Sequence, residues 1–212
     1  ALESVGCQIS EILLKEDEAF CLQKRFVNEI PMDTDMVCLC NPNNPTGQLI
    51  DREVLEQVAD YCQKTDTCLL LDECFHDFLE EGSVHTLLPQ VKENPKLFVL
   101  RAFTKMYGMA GLRLGYGICS DTELIRRMEQ VTQPWNVSVP AQAAGIAAAR
   151  EQEFVAVSRQ MITEQKKLLL AGLEAAGAKV YGSAANYIFF RAAPVFDTRM
   201  YRAGFMVRNC GN

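Results

Sequence analysis

Short runs of residues that stay apolar through successive positions, separated by stretches of helical spacing, constrain this chain more than any other feature. Residues 36–40, 67–71, 97–103 and 114–119 are such runs. A strand with one wet face alternates apolar with polar residues, whereas a strand apolar throughout needs cover on both faces. Between the runs, Val54, Leu55, Val58 and Tyr61 recur at helical spacing behind Asp51, a residue suited to cap residues 51–64. Asp121 opens a second helix to about residue 131 in the same way.

Strands alternating with helices predict an α/β fold, a three-layer sandwich on a mostly parallel sheet. Residues 8–14 read as a further strand. After the loop at 134–140 the chain turns helical over 141–150 and 151–176. Strands near 180, 187–191 and 205–207 then surround a helix at 197–203. This places a large domain over 1–160 and part of a small α+β domain over 161–212. Residues 1–6 read as a helix tail stopped by Gly6, and 208–212 as an interrupted loop, so both ends look cut.

The balance of charge is acidic, −6 over 212 residues, with no basic stripe to neutralise phosphates. Nucleic acid and anionic membranes are poor partners for such a chain. No apolar run approaches the roughly 20 residues of a membrane helix. The nine cysteines are odd in number and irregular in spacing, and none stands at zinc-ligand spacing. They read as reduced, mostly buried thiols of a cytoplasmic protein, with Cys38 and Cys40 on a buried strand and no metal site. His76 and His85 read as loop or helix-surface residues.

In open α/β sheets, ligands bind beyond the carboxyl ends of the strands. Three polar clusters fall there: 41–47 (Asn-Pro-Asn-Asn-Pro-Thr-Gly), 72–75 (Asp-Glu-Cys-Phe) and 101–105 (Arg-Ala-Phe-Thr-Lys). Taken singly, each has an ordinary reading. Asn-Pro pairs favour turns, an aspartate after a strand caps a helix, and a lysine there is solvated. Three in one chain, with Arg113 eight residues after Lys105, are harder to set aside.

These motifs, together with Phe-Thr-Lys-Met-Tyr-Gly-Met-Ala-Gly-Leu-Arg-Leu-Gly-Tyr (103–116), resemble the fold-type I pyridoxal-phosphate (PLP) enzymes of the class I/II aminotransferase group. Within that group the chain is most similar to the histidinol-phosphate aminotransferase and threonine-phosphate decarboxylase branch. The resemblance runs nearly end to end. It implies PLP as cofactor and a homodimer with the active site at the subunit boundary. Lys105 matches the lysine that holds the cofactor aldehyde as a Schiff base and, once displaced, moves the α-proton. Asp72 matches the partner of the ring nitrogen, Asn44 the donor to the phenolic oxygen, and Arg113 the phosphate-binding arginine. Thr104 matches a further hydroxyl for that phosphate, or is a packing residue.

Two positions depart from the family pattern. Phe75 stands where a tyrosine usually meets the phenolic oxygen, a change the decarboxylase neighbours share. Ala102 replaces a Ser or Thr that usually reaches the phosphate. Trp135 and Asn136 match a loop near the substrate pocket and the dimer contact, although a single Trp also reads as a core or interface anchor. Arg208 matches an arginine that approaches the substrate, or is a surface residue. Backbone donors to the phosphate, a stacking aromatic and a carboxylate-gripping arginine belong to family segments before and after this stretch.

The resemblance implies transfer of an amino group between a small amino acid, phosphorylated or not, and a 2-oxo acid. Decarboxylation of threonine phosphate uses the same machinery with another bond aligned to the ring. A third reading, of another class, is the aminotransferase-like sensor domain of a transcription regulator.

Overall fold

A computed structural model describes residues 2–211. Its helices are α1 (Phe26–Glu29), α2 (Arg52–Lys64), α3 (Thr122–Val131), α4 (Val139–Ala148), α5 (Gln152–Ala175) and α6 (Phe196–Arg202). Its strands are β1 (Met36–Cys40), β2 (Cys68–Asp72), β3 (Leu97–Ala102), β4 (Gly115–Ile118), β5 (Lys179–Gly182) and β6 (Phe189–Arg191). The first four form one sheet in the order β1-β2-β3-β4. β1, β2 and β3 run parallel, and β4 returns antiparallel to β3. β5 and β6 form a separate antiparallel pair. The mostly parallel α/β sheet and the smaller second sheet agree with the architecture expected from the apolar runs.

The core explains the order. Asp51 accepts the N–H groups of Glu53 and Val54 and so starts α2. That helix then buries Val54, Leu55, Val58, Ala59 and Cys62 in one cluster with Leu69 and Leu71 of β2 and Leu97 and Val99 of β3. Full burial of each such leucine stabilises by about 1.5–3 kcal/mol. Because the three strands are parallel, their carboxyl ends emerge on one edge, with Cys40 in register with Asp72 and Asp72 with Leu100. The Asn41 N–H donates to the Asp72 carbonyl (2.9 Å) and the Glu73 N–H to the Leu100 carbonyl (2.9 Å), lacing that edge together.

Several expectations need correction. Residues 8–14 form no strand; they lie along an open groove beside Met36 and Cys38, without a ladder to pair with. Residues 205–207 form none either. The chain leaves α6 through Gly204, with φ 87°, and Phe205 and Met206 stand exposed. β1 is not buried on both faces: as an edge strand it shows Met36 and Cys38 outward. The thiols are accordingly not mostly buried. All nine are free, but only Cys62 is buried, while Cys7, Cys38 and Cys210 are exposed.

His76 is no surface residue. It is 5% exposed, on a short turn of helix, with Nε2 2.7 Å from the Gly82 carbonyl oxygen. A Cβ on Gly82 would collide with the imidazole at 2.7 Å, so this close approach needs a residue without a side chain. α5 runs unbroken through residue 160. No helix among the described residues is long and apolar enough to cross a membrane, and no group of three metal-ligating side chains occurs among them.

Candidate active site

The turn at 41–47 is built around its asparagines. Asn41 is fully buried, and its side chain donates to the His85 carbonyl and accepts from the Ile50 N–H, both at 2.9 Å. Asn43 accepts the Thr46 hydroxyl on its side chain (2.8 Å) and the Gly47 N–H on its carbonyl (2.8 Å). With Asn41 and Asn43 so tied, Asn44 is carried at the exposed crest of a fixed turn.

Asp72 ends β2. Its Oδ1 accepts the Cys74 N–H at 2.9 Å and its Oδ2 faces the Cys40 thiol at 3.9 Å. Burial, then the Asp72 charge, push the Cys40 thiol up to about 11. Burial, then the bond to Asp72, push Cys74 up to about 12. Both sulfurs therefore stay protonated, as weak donors around one carboxylate.

Lys105 lies three residues past β3, exposed, with Nζ 5.6 Å from the Phe75 ring centroid. The antiparallel return sets its neighbours. Phe103 N–H donates to Leu114 O (3.1 Å), which leaves Thr104 and Arg113 as the next residues on the two sides of the β3–β4 loop. Arg113 holds a left-handed backbone, φ 54°, donates Nη1 to the Ala110 carbonyl at 3.0 Å and keeps an exposed side chain. Ala102 ends β3 in register with Gly115.

Asp72, Phe75, Thr104, Lys105 and Arg113 thus gather at the ends of β2 and β3, with Asn44 on the turn that follows β1. An amine, a carboxylate, a guanidinium, a hydroxyl and a carboxamide donor are the groups that an aldehyde-bearing, protonated-ring phosphate such as PLP requires, and they fit it. Trp135 and Asn136 are not part of the gathering. Asn136 lines a shallow groove with Phe98, near the start of β3, and Trp135 is 94% exposed. Arg208 is exposed beyond α6; its neighbour Asn209 donates to Asp197 at 3.0 Å.

Three features at this edge escaped the sequence reading. Glu73, fully buried, takes two bonds from Arg101 (2.9 and 2.6 Å) and two contacts with the Thr86 hydroxyl (2.8 and 2.9 Å). Arg101 also meets Asp77 at 3.3 Å. The signal was one charge near the carboxyl end of each of two otherwise apolar runs, which demands a partner once buried. The thiols around Asp72 are the second feature, and Tyr187 is the third. Tyr187 meets Phe75 edge-on, with centroids 5.1 Å apart, and donates its hydroxyl to Asn43 O at 2.6 Å.

Residues 5–201 match the family described as aminotransferase class I and II. The chain belongs to that family. Among similar family members is a threonine-phosphate decarboxylase of Salmonella typhimurium, 32% identical over 216 residues that cover 100% of this chain and 59% of that protein. A histidinol-phosphate aminotransferase of Oleidesulfovibrio alaskensis is 33% identical over 213 residues, 96% of this chain and 54% of that one. Among solved structures, the histidinol-phosphate aminotransferase from Clostridium acetobutylicum superposes with a TM-score of 0.85 at 26% identity, covering 92% of this chain and 60% of that one. This class I and II aminotransferase chain therefore spans between half and two thirds of the length of these relatives.

Proposed function

We propose that this chain is the cofactor-holding part of a PLP-dependent aminotransferase that moves an amino group between a small amino acid, phosphorylated or not, and a 2-oxo acid. Residues 1–160 are its cofactor domain and 161–212 part of a smaller one. The observation that carries the reading is the Lys105 amine, exposed past the end of β3 beside Phe75, on the edge where β2 ends in Asp72.

When bound, PLP supplies a ring that accepts electrons from the substrate carbon. Lys105 would hold the cofactor aldehyde and, once released, take the α-proton and return it elsewhere. Asp72, oriented by the Cys74 N–H and the Cys40 thiol, would keep the ring nitrogen protonated through its negative charge. Arg113 and Thr104 would hold the phosphate, and Asn44 would donate to the phenolic oxygen. Phe75 offers that oxygen no hydroxyl, only a ring face. Arg208 is assigned to the substrate side; Trp135 and Asn136, which lie away from the cofactor residues within one chain, would reach a substrate pocket only across a subunit boundary. Trp135, 94% exposed near Val131 at 85%, supports a homodimer interface there. Nine free thiols support a reducing, cytoplasmic setting.

Phe75 specifically favours a second reading, decarboxylation of threonine phosphate. Two measurements on the full-length protein decide. A visible absorption band on adding PLP should vanish in Lys105→Ala; an unchanged band in that variant refutes the first claim. Incubation with threonine phosphate should then give glutamate from 2-oxoglutarate, not carbon dioxide; the reverse outcome establishes the decarboxylase.

A further inference from the structure

We propose that Tyr187 is a positioning residue for the cofactor site: it holds the Asn44 turn and the Phe75 ring in place at once. The inference rests on the cofactor reading above.

The geometry joins two functional positions through one side chain. The Tyr187 hydroxyl donates to the carbonyl of Asn43, the residue before Asn44, at 2.6 Å. That carbonyl also accepts the Gly47 N–H, so the hydroxyl adds a second tie to the bond that closes the turn. The Tyr187 ring meets Phe75 edge-on, 5.1 Å between centroids at 83°, and the face of Phe75 carries Lys105 Nζ at 5.6 Å. Phe75 has no hydroxyl with which to fix itself, so packing alone sets its angle, and Tyr187 is a principal part of that packing.

The segment carrying Tyr187 is itself pinned to the turn. Ala184 N–H donates to Gly47 O at 3.0 Å, and Gln48 donates to the Tyr181 carbonyl. A Cβ on Gly47 would come within 3.1 Å of Gly182 C, and Gly47 has φ +67°, so this approach requires glycine. Burial, then the nearby Cys40 and Asp72, raise the Tyr187 phenol above its ordinary range, which keeps it a donor. A ring alone would have served for packing against Phe75. The hydroxyl has its partner on the Asn44 turn.

The test uses the full-length protein and the variants Tyr187→Phe, Tyr187→Leu and Tyr181→Phe. In Tyr187→Phe, PLP affinity should fall about three- to tenfold, the scale of one lost hydrogen bond. The pH midpoint of the PLP band should rise, because a loosened Asn44 favours the ionised phenolic oxygen less. Hydrogen exchange at the Gly47 amide should quicken in the cofactor-free protein. Tyr187→Leu should lose more, through the freed Phe75 ring. Tyr181→Phe, which removes a β5 hydroxyl bonded to Glu16, should leave affinity and midpoint at parent values. A parent band that depends on Lys105, with Tyr187→Phe matching the parent in affinity and midpoint, overturns the inference alone. Equal effects from Tyr181→Phe overturn it as well. A parent without any Lys105-dependent band overturns the cofactor reading and this inference together.

Discussion

Lys105 Nζ stands 5.6 Å from the centroid of the Phe75 ring, so the amine rests over an aromatic face where the family pattern has a phenol. An ammonium is attracted to the ring quadrupole, but the ring donates no hydrogen bond. The pair defines how this edge departs from the tyrosine-bearing family pattern.

Phe75→Tyr should therefore change the bound cofactor without changing the fold. A second donor near the phenolic oxygen favours its ionised form, so the pH midpoint of the PLP absorption band should fall. One hydrogen bond of about 1 kcal/mol sets the scale, somewhat under about one pH unit. Spectrophotometric titration of the full-length variant against the parent measures it. An unmoved midpoint would show that residue 75 does not face that oxygen.

The Glu73–Arg101 pair should dominate the stability of the same edge. Glu73 is fully buried and the Arg101 side chain only 11% exposed, so removing Arg101 leaves the Glu73 charge in the interior without a cation. Arg101→Met should cost about 3–5 kcal/mol. Glu73→Gln combined with Arg101→Met should recover part of that loss. Urea unfolding of the three proteins gives the numbers, and equal stability of single and parent proteins would contradict the assignment.

Stability should also fall on mild acidification. Burial, and then the Arg101 charge, hold the His76 pKa below its ordinary 6.5, with Glu73 and Asp77 acting in the opposite sense. The unfolded chain then binds this proton more readily than the folded one. The contribution is fully present above about pH 6.5 and is lost as pH drops toward the folded value, with a slope of at most about 1.4 kcal/mol per unit. In His76→Gln the slope of unfolding free energy between about pH 7 and 5.5 should flatten. An equally steep slope would assign the effect to other groups.

Thiol reactivity should sort by environment. Burial pushes Cys40 up to about 11 and Cys62 and Cys74 up to about 12, so almost no thiolate exists there near neutrality. Cys7 and Cys210 are exposed. Timed iodoacetamide labelling at about pH 8, read by mass spectrometry, should mark Cys7 and Cys210 first and the other three many-fold more slowly. Early labelling of Cys74 would mean that the β2 edge is open.

The sheet and α2 were legible because their causes are local. The apolar runs carried the strands, and Asp51 and Asp121 marked the starts of α2 and α3, where both act as caps. Residues 8–14 and 205–207 have comparable strand character, but a strand exists only with a partner, and partners are not written in a segment's own composition. His76 was misread because a three-residue turn of helix has no periodicity to show which side is covered. The strand-end motifs pointed to Asn44, Asp72, Lys105 and Arg113. Tyr187 stayed hidden because its two contacts join segments far apart in the chain, and nothing around residue 187 names Asn43 or Phe75 as the other end.

That separation has a consequence in time. The turn at 41–47 leaves the ribosome well before its cover, from Gly182 to Tyr187. Until then the Asn43 carbonyl has one tie instead of two, and the face of Gly47 that Gly182 will meet is bare. Long-range closures of this kind come late in folding. A nascent chain halted before residue 182 would already contain the lysine, the aspartate and the arginine, yet would hold its asparagine on an unbraced loop. Maturation of the site thus waits on translation of a segment that contributes none of the groups assigned to touch the cofactor.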